Sequence, residues 1–84
     1  MLDAVWDILD VMRGFANVIW SNPGNPTNQA SRALGIERRQ LRRALHRIKH
    51  AQGLKGADRV TIWNDGSVTD PQDNVLGNVY DEIY

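Results

Sequence analysis

Apolar residues recur at helical spacing up to about residue 51. Past Gly53 and Gly56 they begin to alternate instead. A helical stripe and an alternating stripe need different partner surfaces, so this change of rhythm restricts the chain to a helical front joined to a small antiparallel sheet. With 84 residues there is room for one hydrophobic core and no second. The expectation is a single α+β domain, three helices followed by a small three-stranded antiparallel meander.

Residues 2–20 read as the first helix. Val5, Leu9, Met12, Ala16 and Ile19 share one stripe, and Asp3, Asp7, Asp10 and Asn17 line the opposite one. Trp6, Ile8, Phe15 and Trp20 widen the apolar face, which suits packing on the domain or on a partner surface. Ser21-Asn22-Pro23-Gly24-Asn25-Pro26 then forms a loop. Thr27 or Asn28 caps a short helix through Leu34, Gly35 makes the turn, and Glu37 begins a longer helix to about Ala51. Leu41, Leu45 and Ile48 form its buried stripe, with Arg39, Arg42, Arg43, His46, Arg47, Lys49 and His50 on the remaining faces. In the tail, residues 60–63 suggest a strand, Asn64-Asp65-Gly66 a hairpin turn, 67–70 a returning strand, and 75–80 a third strand after a turn at 71–74. The domain thus divides into an N-terminal helix with its loop (1–26), a cationic helical pair (27–53) and an acidic meander (54–84).

The net charge of zero conceals segregation: residues 1–31 carry −2, residues 32–59 carry +7 and residues 60–84 carry −5. Seven basic side chains within about four helical turns are the electrostatic footprint of a phosphate binder. The alternatives are a solvated face, neutralisation by the acidic tail of the same molecule, or an acidic protein partner. Arg38, Arg39, Arg42, Arg43, Arg47 and Lys55 are the candidate nucleic-acid contacts. Without cysteine there is no disulfide framework and no thiolate metal or redox chemistry. A membrane span is not expected, because no run of about 20 apolar residues exists. The acidic start is unlike a signal peptide, and neither a Gly-rich phosphate loop nor a nucleophile elbow is present.

Two resemblances refine this. Ala30, Leu34, Gly35, Ile36, Arg38, Leu41 and Leu45 resemble the helix-turn-helix pattern of Fis-type DNA-binding domains. That likeness implies a DNA-binding module over residues 28–47, with Glu37, Arg38, Arg39, Arg42 and Arg43 facing the groove or phosphates. Such domains end soon after their second helix, whereas about 30 residues of acidic meander follow here. A longer set of residues is similar to the C-terminal toxin domains of Rhs and contact-dependent-inhibition proteins. It comprises Leu45-His46-Arg47-Ile48-Lys49, Gly53-Leu54, Ala57-Asp58-Arg59-Val60-Thr61-Ile62, Asp65-Gly66-Ser67-Val68-Thr69-Asp70 and Leu76-Gly77-Asn78-Val79-Tyr80-Asp81-Glu82. This second resemblance implies a cytotoxic effector at the end of a large secreted protein, delivered to act in the target-cell cytoplasm. Such effectors often cut RNA and are held harmless by a cognate immunity protein.

Metal-independent RNA cleavage needs a base for the 2′-OH proton, an acid for the 5′-oxygen and cations for the phosphorane. His46 is the lead base, since imidazole ordinarily titrates near neutrality. His50, one turn on, is the acid or a substrate contact. Lys49 and Arg43 are phosphate ligands, and Asp65 or Asp58 orients a histidine or supplies the second acid-base group. Each residue has a plainer alternative: His46 as a partly buried side chain, His50 as a helix-dipole partner, Asp65 as turn chemistry. Trp63 and Tyr80 have bases or the core as partners. The histidine pair lacks the glutamate of an HExxH motif, so neither a metal nor any other cofactor is expected.

Overall fold

A computed structural model describes residues 17–84. Its elements run β1 (Val18–Asn22), α1 (Asn28–Leu34), α2 (Arg38–Ala51), β2 (Val60–Trp63), β3 (Ser67–Thr69), β4 (Val75–Asn78) and α3 (Val79–Ile83). The sheet has four strands in the order β1-β2-β3-β4, with every neighbouring pair antiparallel. The expected three-stranded meander is therefore corrected to a four-stranded sheet.

The added strand comes from ahead of the helices. Residues 18–20 were expected to close the first helix and Ser21-Asn22 to open a loop, yet all five form β1, paired with β2. Val18 and Ile19 are β-branched, and the exposed edge of β2 supplies the ladder that a helix end would lack. Ser21 Oγ and Thr61 Oγ1 lie 2.9 Å apart across the pair. The rest of the expected helix, residues 2–16, lies outside the described residues.

The two central helices follow from local chemistry. The Thr27 hydroxyl accepts from the Ala30 amide at the start of α1. At its end Gly35 adopts φ 66°, while the Gly35 and Ile36 amides reach back to the Arg32 and Ser31 carbonyls. These paired bonds form a Schellman motif, which a left-handed glycine permits. Leu41, Ala44, Leu45 and Ile48 of α2 pack in the core with Trp20, Val60, Ile62, Val68 and Val79.

The tail turns are local as well. Asn64-Asp65-Gly66 closes the β2–β3 hairpin, with the Gly66 amide donating to the Trp63 carbonyl at 2.9 Å. The expected strand over 75–80 stops at Asn78 and gives way to α3. The Asn78 side chain caps it by accepting from the Tyr80 amide, and Asp81 and Glu82 occupy the first turn, where helix dipoles favour acids. The Tyr80 hydroxyl then donates to the Leu34 carbonyl at 2.6 Å, fastening α3 to the end of α1.

Candidate nucleic-acid interface

α2 carries the cationic side chains, and its burial pattern sorts them. Leu41, Ala44, Leu45, Ile48 and Lys49 are buried, while Arg38, Arg39, Arg42, Arg43, His46, Arg47 and His50 are exposed. At 3.6 residues per turn, Arg39, Arg43, His46 and His50 fall on one line opposite Leu41. Arg42 and Arg47 border that line on either side. No acidic residue interrupts α2.

His46 and His50 stand side by side on this stripe, with ring centroids 6.5 Å apart and planes tilted by 31°. Next to His46 is a cleft of about 400 Å³, lined among the described residues by Asn25, Arg42, Arg43, His46 and Arg47. Asn25 belongs to the Pro/Gly loop ahead of α1. On the far flank, α3 packs along α2, and an Arg47 guanidinium nitrogen donates to the Glu82 backbone carbonyl at 3.3 Å. Asp81 and Glu82 therefore mark the anionic border of the cationic face.

Lys49 does not join the histidines. It was expected on an open face, but it is only 3% exposed and its ammonium donates to the Gly56 carbonyl at 3.0 Å. The α2 periodicity places it beside the buried stripe, where its methylenes pack while the amine reaches the following loop. Burial pulls its pKa below the ordinary 10.5, with the Asp58 carboxylate opposing that shift.

Asp65 sits in the β2–β3 turn rather than on α2. Its carboxylate accepts from the Ser67 amide at 2.9 Å and the Ser67 hydroxyl at 2.6 Å. Asp58 accepts from the Lys55 amide at 2.7 Å, so both residues shape the loop after α2. The exposed Lys55 lies beyond the C-terminal end of the helix, while Arg38 and Arg39 lie at its start. Of the aromatics weighed for stacking, Trp63 donates its indole N–H to the Thr69 hydroxyl, and Tyr80 is held against α1.

Sequence reasoning left Asn25, Ser31 and Arg32 without a site role. Asn25 comes to α2 through tertiary packing, for which no local signal exists. Arg32 was visible only as a member of the cationic block. Among the described residues no group of three or more His, Cys, Asp or Glu is arranged to hold a metal ion, and no helix is long and apolar enough to cross a membrane. No protein-family model matches the chain, and no curated protein or solved structure matches it significantly.

Proposed function

We propose that this domain binds RNA along the outward face of α2 and cleaves it by metal-independent acid-base chemistry. The observation that carries the reading is the unbroken line Arg39, Arg43, His46, His50, exposed along its whole length. Guanidinium groups recognise phosphate oxygens in a forked geometry and stay charged at any physiological pH.

In the proposed step, neutral His46 takes the 2′-OH proton as the 2′-oxygen attacks phosphorus. The bond to the 5′-oxygen breaks, and protonated His50 gives that oxygen its proton. The products are a 2′,3′-cyclic phosphate and a free 5′-hydroxyl. The two ring centroids are 6.5 Å apart on one exposed stripe, which brings both imidazoles within reach of one phosphodiester. Arg43 and Arg47 border the histidines and would stabilise the pentavalent phosphorane charge. The resemblance to Rhs and contact-dependent-inhibition toxins supports a cytotoxic effector that acts in a target cell and is neutralised by an immunity protein.

A second reading, a non-enzymatic DNA-binding module, is favoured by one observation. α1, the left-handed turn at Gly35 and α2 form a two-helix unit whose second helix presents arginines from its first turn onward. Inducible expression of wild type, His46→Ala and His50→Ala in a bacterial host, with total RNA on a gel, separates the two. Cleavage predicts growth arrest with discrete fragments from wild type only. With purified protein, each histidine variant should lose roughly 100-fold or more of the cleavage rate and keep its RNA affinity. Intact RNA under a demonstrably folded wild type would discard the nuclease. Binding of duplex DNA that is indifferent to His46→Ala would install the second reading.

A further inference from the structure

We infer a phosphate site at the N-terminus of α2, formed by that helix start together with Ser31, Arg32 and Arg38. For the identity of its ligand, a phosphate of the strand bound along α2, it rests on the reading above; its anion chemistry stands independently.

α2 is 14 residues long and begins at Glu37 without a side-chain cap. The Leu41 amide is the one that bonds to the Glu37 carbonyl, so the amides of Arg38, Arg39 and Gln40 have no partner within the helix. No acid lies in the first turn and the Glu37 side chain makes no capping hydrogen bond, so those three amides keep their hydrogen-bonding capacity for an incoming acceptor. An anion is the complement of such an end.

The second observation comes from α1. Ser31 is only 7% exposed, and its hydroxyl is buried without a hydrogen-bond partner. A buried hydroxyl left unbonded is costly, and natural folds seldom keep one without a use. Ser31 lines a cleft of about 720 Å³ that also includes Arg32, Gly35, Glu37 and Arg38. Among the described residues its hydroxyl is the one buried side-chain group without a partner, and Ser31 belongs to the lining of the cleft at which the α2 amides begin. Arg32 and Arg38 bring two full positive charges, and Glu37 is the single carboxylate among these residues. A smaller cleft of about 290 Å³ continues from Glu37 and Arg38 to Arg39 and Arg42, leading from this site onto the outward face of α2.

The test uses the 84-residue chain labelled with nitrogen-15 and titrated with inorganic phosphate. Saturable shifts of the Arg38, Arg39 and Gln40 amides are expected, weakened several-fold in Ser31→Ala and in Arg38→Gln. Alanine is the best helix former, so Ser31→Ala should stay folded, which a thermal melt verifies. In a second arm, oligoribonucleotide affinity is measured against salt, and Arg38→Gln should lower the log–log slope by about 0.7 for the one phosphate it no longer neutralises. Strand binding with those three amides unmoved by phosphate overturns this site and leaves the RNA reading intact. Phosphate shifts without any strand binding keep the anion site and remove the strand as its source. Equal phosphate shifts in wild type and Ser31→Ala overturn the role given to the hydroxyl.

Discussion

The ammonium of Lys49 lies 3.0 Å from the Gly56 carbonyl while the rest of the side chain is buried, which makes its charge a matter of folding stability. Because burial lowers its pKa in the folded state, the unfolded chain binds the proton more tightly. Between the lowered value and 10.5, stability should therefore rise with pH, as the folded protein sheds a proton that the unfolded chain still holds. Urea unfolding of wild type and Lys49→Met across that alkaline window checks the sign: the wild type should gain on the variant as pH rises. A difference that stays flat contradicts the burial argument. Asp70 is shifted in the same direction, so its slope has the same sign, displaced to the acid range. Its carboxylate is held below the usual range first by the Asn74 backbone amide, then by the Asn74 side chain, so its contribution should fade as pH falls through the folded value. Asp70→Asn should flatten that acid limb. At this scale the sequence revealed which residues carry charge but not which of them are solvated. Lys49 is next to His50 in sequence and separated from it by a core boundary that only the angular position on α2 discloses.

Glycine sets how closely the elements approach. A Cβ on Gly77 of β4 would stand 3.2 Å from an Ile48 side-chain carbon, so α2 rests directly on that backbone. Gly77→Ala should cost about 1–3 kcal/mol by overpacking, read from the denaturation midpoint. Gly66 is more restricted, with φ at 86° and a Cβ position that collides with the Tyr80 ring. Gly66→Ala should destabilise more than Gly77→Ala, and the reverse order would contradict this packing of α3 on the β2–β3 turn. α1 and α2 were legible because caps, the Gly35 turn and the Leu41, Leu45, Ile48 stripe are local signals. β1 was not, because its partner β2 lies some 40 residues away, and a helical stripe that reached Ile19 absorbed its β-branched residues. α3 was missed for a related reason: Val79 and Tyr80 extend a strand pattern, and only the Asn78 cap with the acids after it marks the change.

Across the whole molecule, the charge segregation of the sequence becomes spatial. The +7 segment places Arg38, Arg39, Arg42, Arg43 and Arg47 on the exposed part of α2, and the −5 tail contributes α3 along one flank, joined through Arg47 and the Glu82 carbonyl. A strand approaching α2 should be repelled from that flank and led toward Arg38, Arg39 and Arg42. The outward face was readable from helical spacing alone, whereas the clefts beside it were not, since Asn25 and Ser31 meet α2 only through the fold. The most direct measurement is oligoribonucleotide affinity against salt for wild type and the Arg39→Gln, Arg43→Gln double variant. With two fewer phosphates of a single strand neutralised, the log–log slope should fall by about 1.4, and binding should weaken alike across sequences. An unchanged slope in a folded double variant, or no measurable binding by the wild type at low salt, would contradict the claim that this face grips nucleic acid.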